Sequence, residues 1–352
     1  MRASMAKWAS ALLLLAIAAS ATAQSPNSVL VVANGNSDQS VALAEHYMSA
    51  RGIPEQNLLL LDWLEDENAD TCTKNVFTQK IAAPIYARIA ELAPQAIDYI
   101  VICRNLPVKI RENSASVDSC LAAGSLTRKR NPYYGQTRSF SSRAYGMYLV
   151  TRLDGWSWDD AFELVDRSLQ ARPGAPLFFD CDAAKDNQIT YRWFNDSMRL
   201  AAQRTSRSGL PSLVDNTPTF VKPSRALGGY VSWGSNDSRY NPQAFNSLQF
   251  APGAIAETAV STSASNLRYP GGRQSQIAVL IRNGVTGVKG YVAEPYLAAT
   301  ADPYRLWGRY STGGNLAEAF YSASASIGWR DVIVGDPLCA PYRRAAAVPI
   351  AR

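Results

Sequence analysis

The feature that most constrains this chain is an alternation of short β-branched runs with segments of helical period. Val29 to Ala33 is one such run; it ends in the polar turn Asn34-Gly35-Asn36-Ser37-Asp38, after which Val41, Ala44 and Met48 fall on one helical face. Gly52-Ile53-Pro54 stops that helix. Leu58 to Trp63 then reads as a strand, Asn75 to Leu92 as a helix and Ile97 to Cys103 as a third strand. Strands that alternate with helices need crossover connections, hence parallel pairing and a sheet covered on both faces. The predicted fold class is α/β, a mainly parallel sheet with helices on both faces in a three-layer sandwich.

From about residue 107 to 142 the pattern lapses into polar sequence without a clear period, which reads as an elaboration packed against the sheet. Order returns with a strand at Tyr145 to Leu153, then a helix whose Ala161, Phe162, Val165 and Leu169 form an apolar stripe. Leu177 to Cys181 reads as a strand, Ile189 to Arg204 as a helix, and Thr217 to Val221 and Gly228 to Trp233 as two strands. Helices are expected at Ala254 to Ser263, Ser275 to Arg282 and Leu316 to Ser324, with strands at Gly287 to Ala293 and around Val332-Ile333-Val334. With no internal repeat or dividing linker, residues 24–344 read as one α/β domain and 345–352 as a flexible tail.

Residues 1–23 carry the parts of a secretory signal: Arg2 and Lys7, an apolar stretch at Ala11 to Ala19, and Ala21-Thr22-Ala23. The apolar run is short of the ~20 residues a membrane span needs, so the expectation is cleavage, no stable membrane insertion afterwards, and a secreted or periplasmic location in a Gram-negative envelope. Removing Arg2 and Lys7 lowers the formal charge from +6 to +4. The remaining basic residues are scattered apart from Arg128-Lys129-Arg130, with no interleaved aromatic stripe, so nucleic acid is not an expected partner. Of the five cysteines, Cys72 and Cys120 lie in polar surroundings and are the pair to expect if a disulfide forms, whereas Cys103 and Cys181 end apolar runs. No spacing matches a zinc site, and no metal or cofactor is expected.

In an open parallel sheet the ligand site lies beyond the carboxyl ends of the strands. Polar residues concentrate there: Asn34, Asn36 and Ser37 after the first strand, Arg152 and Asp154 after the fourth, Ser232, Trp233, Ser235, Asn236 and Asp237 after a later one, and Glu294 and Tyr296 after the next. With Asp118 they form the candidate cleft. Short polar side chains also close turns and cap helices, which is the competing role for Ser37 and Asp154. Nucleophilic catalysis by Ser or Cys needs a base, most often an imidazole. The one histidine, His46, lies about 140° around its helix from Val41 at ~100° per residue and faces away from the apolar stripe.

Several strings together resemble a family of secreted bacterial proteins that accompanies exosortase-type protein sorting. They are Asn34 to Ser37, Arg51-Gly52-Ile53-Pro54, Ser116-Val117-Asp118-Ser119, Tyr148 to Gly155, Ser232 to Asp237, Glu294-Pro295-Tyr296 and Val334 to Leu338. The resemblance implies an envelope or exopolysaccharide setting and no particular activity. A fainter one reaches the gingipain-type, caspase-like cysteine peptidases, in which one strand ends in His-Gly and a later strand delivers a nucleophilic Cys. Here Trp233 stands where the histidine would be, and Ala254 to Val260 contains no cysteine. The sandwich is accordingly expected to be caspase/gingipain-like or flavodoxin-like, without the peptidase dyad.

Three functions remain open on the sequence. The first is a non-peptidase binding protein that holds a peptide, glycan or envelope protein in the strand-end cleft. The second is a carboxylate- or metal-dependent hydrolase acting on envelope polysaccharide or peptide, which requires Asp237, Glu294 and Asp38 or Asp154 to converge. The third, a structural partner of the export machinery, requires a broad exposed apolar patch.

Overall fold

The computed structural model describes residues 25–64, 70–93, 95–217, 219–268 and 274–343, so the expected signal peptide and tail lie outside the described residues. The main strands are β1 (Val29–Asn34), β2 (Leu58–Leu61), β3 (Tyr99–Cys103), β4 (Leu149–Leu153) and β5 (Leu177–Asp180). They continue with β6 (Ser212–Asp215), β7 (Leu227–Ser232), β8 (Phe250–Thr258), β9 (Gly287–Tyr291) and β10 (Asp331–Gly335). All ten join one sheet in the order β2-β1-β3-β4-β10-β9-β8-β7-β5-β6. The covering helices are α1 (Asp38–Arg51), α2 (Ala83–Glu91), α3 (Val117–Ala123), α4 (Trp158–Leu169), α5 (Ile189–Arg207), α6 (Ile277–Arg282), α7 (Pro303–Tyr310) and α8 (Leu316–Ala323).

Strands β2, β1, β3 and β4 pair in parallel, and so do β9, β8, β7, β5 and β6. Between the two sets β10 runs antiparallel to β9, with Gly287 opposite Gly335 and Tyr291 opposite Asp331. It meets β4 at a single bridge of local parallel geometry, Val334 opposite Arg152. One bridge does not set a strand's direction, and the contacts at the two ends do. Asp336, just past β10, accepts bonds from Tyr47 and Arg51 in the second half of α1, so β10 ends on the side where β1 begins. Arg268, beyond β8, reaches Asp154 beyond β4 and the Leu106 carbonyl beyond β3. Both parallel sets therefore present their carboxyl ends along one edge.

Helices α4 and α8 both pack over β4 and β10, which places them on opposite faces. α1 and α6 flank α4 on its face, while α5 and α7 continue the row that α8 begins. The three-layer α/β sandwich is thus the observed fold class. Its first four strands follow the 2-1-3-4 order of doubly wound sheets, but the sheet then extends far beyond a flavodoxin-like core.

Where the elements differ from expectation, burial is the reason. The first half of the stretch expected to be a helix at Ala254 to Ser263 belongs to strand β8, whose residues Ala254 to Thr258 are all buried. A strand covered on both faces reads as a continuous apolar run, which periodicity does not separate from a buried helix. The outer strand is β6, not Thr217 to Val221, and it pairs with β5 from Leu177 to Asp180. α1 buries Ser40, Leu43, Ala44, Tyr47 and Met48, so its inner face is rotated away from Val41. Within 107–142 lies α3, capped by Ser116 and buried along its whole length. Cys120 is a buried thiol outside any disulfide, so the expected bridge to Cys72 is not formed, and Cys72, Cys103, Cys181 and Cys339 are likewise buried in the core.

Close packing is most exacting at Gly229 in β7, where an added Cβ would lie 2.0 Å from the buried Trp307 ring. Gly229→Ala is expected to lower stability by about 1–3 kcal/mol through overpacking, measurable as a fall in Tm.

Candidate functional site

The sequence-predicted residues divide into three places along the carboxyl edge. At β1 they serve the turn. Asn34 Oδ1 accepts the Asn36 amide at 3.0 Å, Asn36 bonds Asp62 at 2.8 Å, and the Ser37 hydroxyl caps α1. These three residues are turn and cap groups rather than cleft walls.

In the middle of the edge Asp118, Arg152 and Asp154 are withdrawn from solvent in a buried ionic network. Arg152 grips Asp118 with two bonds of 2.7 and 3.0 Å, reaches Asp154 at 3.2 Å, and donates to the Pro107 carbonyl at 3.0 Å and the Leu106 carbonyl at 3.3 Å. Arg104 bonds the other Asp154 oxygen at 2.9 Å, and Arg268 lies 3.7 Å from Asp154 and 3.1 Å from Asp70. Burial alone would raise the Asp154 carboxyl, but the guanidiniums of Arg268, Arg104 and Arg152 outweigh it and hold the group below the usual carboxylate range. The network fastens the ends of β3 and β4 to the loop after β8, and it presents no open chemistry. Asp154 is therefore not available to the carboxylate set that hydrolysis would need. Among the described residues no group of three or more His, Cys, Asp or Glu could hold a metal.

The third place is a cavity of ≈ 470 Å³ beyond β5, β7, β8 and β9. Trp233, Asn236, Glu294 and Tyr296 line it, together with Lys185, Tyr191, Ala259, Val260, Ser261, Pro295, Leu297 and Thr300. Ser232, Ser235 and Asp237 support it from outside. The Ser232 hydroxyl accepts the Gly234 amide, Ser235 and Ser275 exchange backbone-to-hydroxyl bonds, and Asp237 accepts the Arg239 amide. Lys185 follows β5 and Tyr191 opens α5, positions that read as a turn and a helix start in the sequence. Ser261 was hidden because its segment carries a helical composition.

Trp233 is only 3% exposed. Its indole donates to Asn195 Oδ1 at 2.8 Å and its ring meets Tyr191 and Phe194 edge-on. It is thus the cavity's floor and not a free stacking surface. Glu294 accepts the Ser261 hydroxyl on one oxygen and the Tyr296 amide on the other at 2.9 Å. Arg330 and the Trp329 indole hold the carbonyls of Glu294 and Pro295. Tyr296 itself, 63% exposed, has φ 63° and ψ 147°.

No histidine or cysteine is among the lining residues. His46 Nε2 lies 2.8 Å from Asp166 on α4, with its ring 5.5 Å from Phe162; it is half-buried between helices rather than fully exposed. Burial pushes the Cys120, Cys181 and Cys339 thiols each up to about 12 and the Cys103 thiol higher still.

No protein-family model matches the chain, and no curated protein matches it. Among solved structures it is similar to the complex of Porphyromonas gingivalis RgpB pro- and mature domains, with TM-score 0.49 and 11% identity over 89% of this chain and 79% of that one. It is also similar to a structure described as that of a protease, with TM-score 0.47 and 12% identity over 90% of this chain and 79% of that one.

Two outcomes follow. Burial, reinforced by Asp237 and Asp215, pushes the Asp180 carboxyl up to about 8, and burial against Lys289 and Tyr291 leaves Glu257 at about 7. Both lie above unfolded values of about 4, so their contribution is full below pH ~4 and is lost as pH rises through 7 and 8. Chemical denaturation from pH 6 to 9 should show falling stability, with a shallower fall in Asp180→Asn; a pH-independent midpoint would contradict this. Trp233→Ala should cost about 3–5 kcal/mol and lower Tm, so it is not a clean probe of binding.

Proposed function

We propose that this is an exported binding protein whose ligand occupies the cavity bounded by Trp233, Ser261, Glu294 and Tyr296. The observation that carries the reading is Tyr296. A side chain at φ 63° and ψ 147° sits in a region that glycine alone enters freely, at a cost of about 1–3 kcal/mol for other residues. The ring receives little burial in return, since it is 63% exposed at the cavity rim. Neither packing nor backbone preference explains a tyrosine there, whereas contact with a ligand does.

The chemistry of the walls favours binding over turnover. Glu294 is tied to Ser261 and Tyr296, the lining offers no imidazole or thiol, and of the carboxylates named for hydrolysis only Glu294 lines the cavity. A signal-directed route out of the cytoplasm, the exosortase-associated setting and descent from a caspase-like scaffold belong to the same proposal. Among the described residues no helix is long and apolar enough to cross a membrane.

Tyr296→Gly relieves the backbone and removes the contact. It should raise stability by about 1 kcal/mol or more while abolishing ligand-induced shifts in Tm. Peptide libraries and envelope polysaccharides incubated with the wild-type protein should yield no product above the Tyr296→Gly baseline. Turnover by the wild type that the variant lacks would defeat the proposal.

A further inference from the structure

The cavity is not electrically neutral along its walls. Lys185, half-buried in the turn after β5, places its ammonium 5.4 Å from the ring centres of both Tyr191 and Trp233. It forms no ion pair among the described residues, although Asp237 lies within range of its charge. Two aromatic faces attract a cation but leave its outward hydrogen-bond donors unused. Glu294 stands elsewhere on the same lining, and its carboxylate, acceptor only, has capacity for donors beyond Ser261 and the Tyr296 amide. Tyr296 adds a flat, exposed ring at the rim.

We infer that the cavity takes an acidic sugar of the uronic type, with its carboxylate on Lys185, its hydroxyls on Glu294 and a pyranose face against Tyr296. The inference rests on the binding reading above and names the ligand's chemistry. A hexuronate carries an anion and several O–H donors on one compact ring, which matches a cation, an acceptor and an aromatic face around ≈ 470 Å³. An acidic peptide also offers a carboxylate, but its donors are amides and its side chain presents no ring face to Tyr296.

The test is calorimetric titration of the mature protein at low salt with three probes. They are a galacturonate trimer, the matching neutral galactose trimer and an acetylated tri-glutamate peptide. The galacturonate trimer should bind at least about tenfold tighter than either of the others, the scale of a hydrogen bond to a charged group. Lys185→Ala should lose about tenfold or more, and Lys185→Arg should retain most of the affinity, which separates lost charge from lost fold. Tyr296→Gly should abolish binding while remaining folded.

Equal affinity for acidic and neutral trimers, or unchanged affinity in Lys185→Ala, would overturn the acidic-sugar assignment. So would preferential binding of the peptide, or no binding of any probe. If the neutral trimer or the peptide binds and Tyr296→Gly abolishes it, the cavity remains a binding site with another ligand. Sugar binding that survives Tyr296→Gly unchanged would remove the cavity reading itself.

Discussion

The ionised carboxylate of Asp154, held inside the protein by guanidiniums, is the constraint on which the arrangement of the strand ends depends. A buried charge of one sign is very costly, and a buried pair is tolerated only when its geometry and remaining hydrogen bonds are satisfied. Arg152 meets that demand by bonding two carboxylates and two carbonyls. Because Arg104, Arg152 and Arg268 come from after β3, from β4 and from after β8, satisfying them fixes three distant pieces of chain relative to one another. Asp336 does the same at the opposite side, where Tyr47, Arg51 and Ser168 all donate to it. Two buried acids thus fasten the two ends of the sheet.

This division explains why the carboxyl edge holds both a closed region and an open one. The network over β3 and β4 uses its charged groups on each other. The cavity over β5, β7, β8 and β9 keeps polar groups that face space: the Lys185 ammonium, the Glu294 carboxylate and the Tyr296 ring. At its rim the backbone carbonyls of Glu294 and Pro295 are held by Arg330 and Trp329. A site held in this way loses little further freedom when a ligand arrives.

Several of the strings quoted from the sequence acquire physical meaning here. Ser116 to Ser119 and Tyr148 to Gly155 supply the ionic network and the α3 cap, and Val334 to Leu338 supplies the Asp336 anchor. Only Ser232 to Asp237 and Glu294 to Tyr296 reach the cavity. Asp118, Arg152 and Asp154 were visible as charged residues near strand ends, but sequence carries no sign of which charges will find partners. Lys185 was passed over for the same reason, because a lysine in a turn looks like any solvated lysine until two aromatic rings are placed beneath it.

The amino-acid sequence by itself determined the α/β class and most strands and helices, because period and turn residues are local properties written into each segment. It also located the strand ends where polar residues gather. Only the tertiary structure decided that Ala254 to Thr258 is a central strand, that β10 runs against β9, and that one expected cleft is really a salt network beside a cavity. Those outcomes depend on burial and on pairings between residues far apart in the chain, and such energies exist only once the segments have been brought together.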